Sequence, residues 1–192
     1  MVYRALASLI VIASLLLQGN ASGNPRGVVD LEGRGVDPLS LPAGVRAHVL
    51  VFTTTDCPIS NRYAPEIKRL AAAYRERGVT FWLVYPVPGD TPEKIRAHAA
   101  QFGYDLPIAR DTAFTLVKHT AVTVTPEVAV INAGANVAYR GRVDDRYVDF
   151  GLDRATPTTH DLNQALTNLL AGRPVEPKFT RAVGCVLSDL LK

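Results

Sequence analysis

The sequence lacks long low-complexity tracts and blocks of like charge. Its 21 lysines and arginines are interspersed with 18 acidic residues, so the formal net charge is only +3. Proteins that bind nucleic acids usually concentrate basic residues on one surface, and this distribution therefore argues against a nucleic-acid partner. A chain of 192 residues that is 47% hydrophobic is typical of one compact domain.

The sequence also lacks an apolar run of the length that usually spans a membrane. Arg4 precedes an apolar run from Ala5 to Leu17, about 13 residues, whereas a spanning helix needs roughly 20. Small and polar residues follow, and we interpret residues 1–23 as a secretory signal peptide, with an uncleaved N-terminal anchor as the alternative. No cysteine follows the run to carry a lipid. We therefore predict export to a bacterial periplasm, without stable membrane insertion beyond this segment.

Cysteine and histidine are both scarce. The two cysteines, Cys57 and Cys185, permit a single intramolecular disulfide. No histidine belongs to a metal-ligand spacing such as His-x-x-x-His. The four histidines are His48, His98, His119 and His160. We therefore predict no metal site and no cofactor.

Cys57 lies between a predicted strand and a predicted helix. Residues 47–52 are rich in β-forming side chains, and apolar residues repeat at helical spacing from Tyr63 to Tyr74. Pro58 suits the first turn of a helix, because it has no N–H to leave unpaired there. The start of a helix favours an anion, and the thiolate is the nucleophilic form of cysteine. The sequence therefore predicts that Cys57 is a reactive thiol.

A second landmark is Pro126, which opens a predicted strand within residues 123–131. Together with Cys57, this proline resembles the active site of thioredoxin-fold proteins of the redoxin branch, which includes the TlpA-like thiol reductases and the peroxiredoxins. The resemblance implies an α/β fold: a thioredoxin-like three-layer α/β/α sandwich with a central mixed sheet and a redoxin-type helical insertion. It also implies a cis Thr125–Pro126 bond packed against Cys57, and it makes Pro65 the proline that kinks the active-site helix.

The sequence departs from both the thiol-reductase and the peroxidase patterns. Ser60 stands three residues after Cys57, where a thioredoxin-type site has its second cysteine. Its hydroxyl can donate a hydrogen bond to the thiolate, but it cannot displace a mixed disulfide. Thr54 matches the threonine that peroxiredoxins keep three residues before their cysteine, whereas Leu50 stands where they keep a proline.

The resemblance extends over residues 28–171 and leaves a tail, residues 172–192, that carries Cys185. One hypothesis makes Cys185 the resolving thiol, which displaces a partner from a mixed disulfide on Cys57. The alternative makes Cys185 a buried or intermolecular structural cysteine. The prolines of the tail stiffen it without preventing it from reaching Cys57, so both hypotheses stay open.

Several residues beside these landmarks are predicted to line the substrate groove. They are Thr54, Asp56, Pro58, Thr125 and Glu127. The carboxylates of Asp56 and Glu127 would raise the pKa of Cys57 if they lay close to its sulfur. Asp144 and Asp145 either edge the cleft, in a pattern that resembles some bacterial redoxins, or form a solvated loop with ion pairs to nearby arginines.

Local patterns place the remaining elements. β-Forming residues predict further strands, capping residues predict further helices, and a turn-rich segment predicts a hairpin. In chain order these are a strand at 79–84, a helix from Thr91 to Phe102, a short strand at 106–108, a helix capped by Asp111, a hairpin turn at 132–136, and a last helix that begins at Thr158 or Thr159.

These observations predict an exported thiol–disulfide oxidoreductase whose catalytic residues are Cys57, Ser60, Pro126 and Cys185. Its substrate would be a protein or small-molecule thiol or disulfide, and an external thiol could complete the cycle. A first alternative is a peroxiredoxin-like antioxidant peroxidase, in which peroxide converts Cys57 to a sulfenic acid. A second alternative is a non-catalytic module that binds copper or a protein partner, although serine in place of a cysteine lowers the affinity for soft metals.

Overall fold

The structure is a computed structural model that describes residues 27–187. The predicted signal peptide, residues 1–23, and the last residues of the tail, 188–192, lie outside the described residues. Within the described range, no helix combines the length and the apolar character that a membrane crossing requires. The elements in chain order are β1 (Ala47–Phe52), α1 (Pro58–Arg62), α2 (Ala64–Arg75), β2 (Val79–Tyr85), α3 (Pro92–Phe102), β3 (Ile108–Arg110), α4 (Thr115–Thr120), β4 (Val124–Thr125), β5 (Glu127–Asn132), β6 (Val137–Gly141), β7 (Tyr147–Asp149), β8 (Leu152–Asp153), α5 (Asp161–Leu170) and β9 (Cys185–Val186).

Five strands form the central mixed sheet in the order β3-β2-β1-β5-β6. Strand β1 lies in the middle, parallel to β2 and antiparallel to β5, and all six of its residues are buried. Successive side chains of a strand point to opposite faces of the sheet. Val49 and Val51 therefore enter one core cluster, while Leu50 and Phe52 enter the other. A nearly continuous apolar run is what a strand covered on both faces requires.

Helices cover both faces of this sheet. Helices α2, α3 and α5 pack on one face through buried apolar side chains, among them Ile67, Leu70, Ile95, Leu162 and Leu166. Helix α4 covers the opposite face, together with the segment that precedes β1 and with Leu187 of the tail. This arrangement confirms the predicted three-layer α/β/α sandwich with a central mixed sheet.

The predicted helical insertion lies between β2 and β4 and contains α3, β3 and α4. The Thr91 hydroxyl caps α3 by accepting a hydrogen bond from the Lys94 N–H at 3.4 Å. The Asp111 carboxylate caps α4 by accepting the Thr115 N–H at 2.7 Å and the Val117 N–H at 2.9 Å. Both residues thus satisfy N–H groups that the first turn of a helix leaves unpaired, as predicted.

One helix boundary and five strands differ from the predictions. The active-site helix is interrupted at Tyr63, whose backbone stays helical with φ −80° and ψ −9°. Pro65, two residues later, has no N–H to bond the Asn61 carbonyl, so it breaks this helix as the resemblance implied.

The last helix begins at Asp161 rather than at Thr158 or Thr159, because a buried carboxylate outside the helix binds the N–H groups of both threonines, at 2.6 and 3.0 Å. Strand β3 covers Ile108–Arg110 rather than 106–108. Strands β4, β7, β8 and β9 were not predicted, since two or three residues are too few to show an alternating pattern.

Candidate active site

Cys57 lies at the junction between the buried strand β1 and helix α1, as predicted. Its backbone is extended, with φ −85° and ψ 108°, and its carbonyl accepts a hydrogen bond from the Asn61 N–H at 3.0 Å. Only 1% of Cys57 is exposed to solvent. Because α1 has five residues, the full macrodipole of a long helix does not act on this sulfur. Individual hydrogen bonds must therefore account for most of its acidity.

The Thr125–Pro126 peptide bond is cis, as the resemblance implied. It lies beside Cys57, whose thiol donates a hydrogen bond to the Thr125 carbonyl at 3.1 Å. The neighbouring Glu127 is buried, and its carboxylate accepts the Thr123 N–H at 2.8 Å. Glu127 thus holds the backbone that leads into the cis bond, which is a different task from the predicted effect on the acidity of Cys57.

The tail brings Cys185 to Cys57. Strand β9 pairs with β4 in antiparallel register, which places Cys185 opposite Thr125. The two sulfur atoms lie 2.8 Å apart, and both cysteines are free thiols in this structure. A disulfide bond is about 2.05 Å long, so a small side-chain movement would join them. The structure therefore supplies Cys57 with a second thiol from a distant part of the chain.

Close packing holds the tail in this position. A Cβ atom on Gly184 would lie 2.1 Å from the Thr125 carbonyl oxygen, so only glycine permits the tail to approach β4 this closely. Beyond Cys185, the Leu187 N–H donates to the Thr123 carbonyl at 2.9 Å, and the Leu187 side chain is 1% exposed. Backbone pairing and apolar burial therefore fix both sides of the cysteine.

The two thiols differ in acidity. Burial raises the pKa of Cys57, but hydrogen bonds from Cys185 and from the hydroxyl and N–H of Ser60 outweigh it, and the net pKa lies below the ordinary value. Burial and the adjacent negative charge of Cys57 raise the pKa of Cys185 to about 12. The buried Ser60 hydroxyl has no hydrogen-bond partner among residues 27–187 while both cysteines are thiols, so it is free to donate to a Cys57 thiolate. The arrangement can hold a Cys57 thiolate beside a protonated Cys185.

The other predicted groove residues surround the start of α1. Thr54 is buried, whereas Asp56 and Pro58 are exposed on the loop that carries Cys57. Thr125 is fully buried and presents its carbonyl to the Cys57 thiol.

The sequence model of one protein family matches residues 30–151, which is more than half of the chain, and that family is Redoxin. The chain belongs to the redoxin family. No curated protein sequence matches this redoxin.

Solved structures share its fold. An uncharacterized conserved protein from Geobacillus kaustophilus is 28% identical with a TM-score of 0.70, and the alignment covers 83% of this chain and 86% of that one. A hypothetical protein from Sinorhizobium meliloti 1021 is 22% identical with a TM-score of 0.68, over 83% and 87% of the two chains. A secreted Mycobacterium tuberculosis disulfide oxidoreductase homologous to E. coli DsbE is 20% identical with a TM-score of 0.50, over 76% and 93%. These likenesses agree with the predicted thioredoxin-like fold.

A buried polar network beside the redoxin site was missed from the sequence. His98 Nε2 lies 2.7 Å from Asn61 Oδ1, and its Nδ1 lies 2.8 Å from the Tyr85 hydroxyl. The Asn61 amide donates to the Thr55 carbonyl at 3.4 Å, so its oxygen faces the imidazole and Nε2 must carry the proton. Asp90 binds the same loop through the Thr55 hydroxyl at 2.5 Å. The members of this network are too far apart in sequence to form a recognisable motif. The one available signal was that Asn61 directly follows Ser60, a predicted site residue.

The prediction of a solvated Asp144–Asp145 loop is wrong, because Asp144 is 2% exposed and Asp145 is 6% exposed. Asp144 accepts a hydrogen bond from the Tyr63 hydroxyl at 2.6 Å. Asp145 pairs with Arg154 at 3.3 Å and is the buried carboxylate that binds the backbone ahead of α5. The two aspartates therefore hold the segments on either side of the β7–β8 hairpin.

An apolar cleft of about 240 Å³ adjoins the cysteine pair. Most of its lining is apolar or aromatic, and two charged side chains and Cys185 complete it. The residues are Pro58, Ile59, Tyr147, Phe150, Gly151, Leu152, Arg62, Asp153 and Cys185. Phe150 is 63% exposed and Leu152 is 57% exposed at the tip of the β7–β8 hairpin. At its base, the Tyr147 ring packs against Tyr63 with ring centroids 5.3 Å apart. No periodic pattern of side chains predicts this hairpin.

One group of potential metal ligands lies elsewhere in the described chain. Glu66, Asp144 and His160 offer ligand atoms within 4.8 Å of one another. Glu66 already pairs with Arg69 at 2.7 Å, and Asp144 accepts the Tyr63 hydroxyl, so these acids have partners. Among residues 27–187, no histidine or carboxylate joins the two sulfurs as a third ligand.

Proposed function

We propose that this redoxin is an exported thiol–disulfide oxidoreductase that cycles between the dithiol and disulfide forms of Cys57 and Cys185. The supporting observation is the pair itself, with two sulfurs of unequal acidity 2.8 Å apart beside a cis-proline. The secreted disulfide oxidoreductase from Mycobacterium tuberculosis has the same fold, which agrees with this proposal. In this view residues 28–171 form the catalytic domain, the tail supplies its second thiol, and residues 1–23 direct export.

The first step uses Cys57 as the nucleophile. Its thiolate attacks one sulfur of the substrate disulfide, the substrate S–S bond breaks, and a mixed disulfide forms on Cys57. The departing substrate thiolate takes up a proton. Ser60 stabilises the attacking thiolate, while Pro126 and Thr125 form one wall of the groove. Asp56 and Pro58 form the exposed rim of the same groove, and Thr54 is a buried residue of the loop that leads to them.

The second step uses Cys185 to resolve the mixed disulfide. Part of the raised pKa of Cys185 comes from the negative charge on Cys57. That charge disappears when Cys57 enters the mixed disulfide, so Cys185 becomes easier to ionise when it must attack. Its sulfur then bonds to Cys57, the remaining substrate sulfur leaves and takes up the proton from Cys185. The substrate has gained two electrons and the pair is a disulfide.

The test is to treat the reduced protein with a protein disulfide and to map cysteine-containing peptides without reduction. The proposal expects a Cys57–Cys185 disulfide and a reduced substrate. In Cys185→Ser, the cycle should stop at a mixed disulfide on Cys57. Two free thiols after complete exposure to oxidant would contradict the proposal and favour a non-catalytic binding module.

Peroxide is a second candidate substrate, favoured by the 1% exposure of Cys57 beneath the tail. A small oxidant reaches such a sulfur more easily than a folded disulfide protein does. The thiolate would become a sulfenic acid, and Cys185 would condense with it to give the same disulfide and water. Comparing rates of disulfide formation with hydrogen peroxide and with a protein disulfide separates the two substrates.

A further inference from the structure

The two sulfurs of the site differ in access. Cys57 is 1% exposed, whereas Cys185 is partly exposed and lines the apolar cleft. A thiol that opens the Cys57–Cys185 disulfide must reach one of these sulfurs in order to attack it. The cleft leads to Cys185.

We propose that an external thiol attacks the Cys57–Cys185 disulfide at Cys185, and that the apolar cleft binds the apolar residues that flank the attacking cysteine of a partner protein. This inference rests on the proposed function, because it requires that disulfide to form. It reverses the roles of the two cysteines relative to the first half of the cycle, in which Cys57 meets the substrate.

The step balances with a partner dithiol as the reductant. One partner thiolate bonds to the Cys185 sulfur, the bond between the two cysteines breaks, and Cys57 leaves as a thiolate. The second partner thiolate then attacks the partner's own sulfur, so the partner becomes a disulfide. Cys185 leaves and takes up a proton. Two electrons have passed from the partner dithiol to the cysteine pair.

The properties of Cys57 as a leaving group agree with attack at Cys185. A thiol of lower pKa is the better leaving group in disulfide exchange. The Cys185 thiol, whose hydrogen bond contributes most to lowering the pKa of Cys57, is lost when Cys185 carries the partner, but the Ser60 hydroxyl and N–H remain to stabilise the departing thiolate. Attack at Cys185 therefore expels a thiolate that Ser60 stabilises.

The cleft has the size and the lining for flanking side chains. Its volume of about 240 Å³ is smaller than the roughly 300–1,000 Å³ of typical small-molecule pockets. Phe150 and Leu152 expose a contiguous apolar wall, and such surfaces commonly mark contacts with other proteins.

The position of attack is tested on the full-length oxidised protein. The protein is mixed with the neutral peptide acetyl-Gly-Leu-Cys-Leu-Gly-amide, quenched with N-ethylmaleimide at short times, and mapped by mass spectrometry. We expect the peptide on Cys185 and maleimide on Cys57. Peptide on Cys57 with maleimide on Cys185 would overturn the inference but leave the disulfide cycle intact. A starting protein without the internal disulfide would instead refute the proposed function.

A second experiment measures rates of reduction and tests the cleft. It remains informative even if Cys57 re-forms the internal disulfide before N-ethylmaleimide can trap the peptide adduct. Phe150→Ser combined with Leu152→Ser should slow reduction by the leucine-flanked peptide about tenfold, because apolar burial is lost. Reduction by dithiothreitol, which needs no cleft, should stay within about twofold. Acetyl-Gly-Ser-Cys-Ser-Gly-amide, with the same charge, should react slowly with both proteins.

Val148→Ser is the matched control, because Val148 lies in the same hairpin, is 41% exposed and is outside the cleft lining. It should match the wild type with every thiol. Equal rates for the wild type and the double variant with the leucine-flanked peptide would overturn the role of the cleft.

Discussion

Cys57 and Cys185 reach the same point by different means. Cys57 is placed by local structure, between a central strand buried on both faces and the helix that follows it. Cys185 lies 128 residues further along and is held by a two-residue strand, by the close approach of Gly184 and by the burial of Leu187. One thiol belongs to the rigid centre of the fold, and the other belongs to its edge.

This difference explains how the site can lack a second cysteine at position 60 and still hold two thiols. Elements that move during function come from the less stable parts of a structure. The end of the tail around Cys185 is held by a two-residue strand pairing and one further backbone hydrogen bond, so it can separate from Cys57 when a substrate arrives, whereas a thiol within α1 cannot move independently of the helix. The comparison predicts that variants at Cys57 affect chemistry, while variants in the tail affect access and resolution.

The largest expected effect comes from Cys57. Cys57→Ser should reduce turnover at least roughly a thousandfold, because the nucleophile is lost. Cys185→Ser should retain the first attack and accumulate mixed disulfides or over-oxidised Cys57. Steady-state turnover and intact-protein mass spectrometry measure the two outcomes. Unchanged turnover in Cys185→Ser, with no trapped species, would show that an external thiol resolves the intermediate.

Gly184→Ala should have the next largest effect. The new methyl group would meet the Thr125 carbonyl at 2.1 Å, and relief of such crowding costs about 1–3 kcal/mol. The tail should detach more often, so alkylation of Cys57 by iodoacetamide should accelerate about tenfold for each 1.4 kcal/mol.

Gly89→Ala is the control for this variant, because a Cβ at Gly89 meets nothing within 4 Å. It should leave the alkylation rate unchanged. If Gly184→Ala behaved in the same way, the tail would not control access to Cys57.

Cys185→Ala should change the pH dependence of Cys57. In the wild type, hydrogen bonds outweigh burial and hold the pKa of Cys57 below its ordinary value, so alkylation should reach half its maximum below the usual pH for a thiol. The alanine variant loses the hydrogen bond from the Cys185 thiol, which lowers the pKa of Cys57 most, while the Cys57 sulfur keeps its other contacts. The midpoint should therefore move to higher pH. A midpoint that stays fixed, or moves down, would show that Cys185 does not stabilise the thiolate.

Ser60→Ala should produce the same change on a smaller scale. Its hydroxyl contributes less to the lowered pKa of Cys57 than Cys185 does, so the alkylation midpoint should rise by less than in Cys185→Ala. Because the buried hydroxyl has no other partner among residues 27–187, its removal should leave thermal stability nearly unchanged. Loss of stability without a change in midpoint would make Ser60 a structural residue only.

The elements that could be predicted are those whose causes lie close together in sequence. The β-forming residues of β1 predicted a strand, and Thr91 and Asp111 predicted the starts of α3 and α4. The start of α5 was predicted wrongly from Thr158 and Thr159. These threonines do not cap the helix, because their N–H groups donate hydrogen bonds to Asp145 in a loop distant in sequence. The prediction of a solvated loop at Asp144 and Asp145 was wrong for a similar reason, since the burial of a loop depends on segments distant in sequence that pack over it.

Short-range patterns, together with the resemblance to the redoxin family, were enough to place Cys57 at the start of the helix that follows a central strand, and Pro126 at the start of a strand beside it. The approach of Cys185 to Cys57, the close contact of Gly184 with β4 and the apolar wall of the β7–β8 hairpin could be seen only in the folded chain. These contacts join segments far apart in the chain, and their energies depend on packing between surfaces that no local pattern describes.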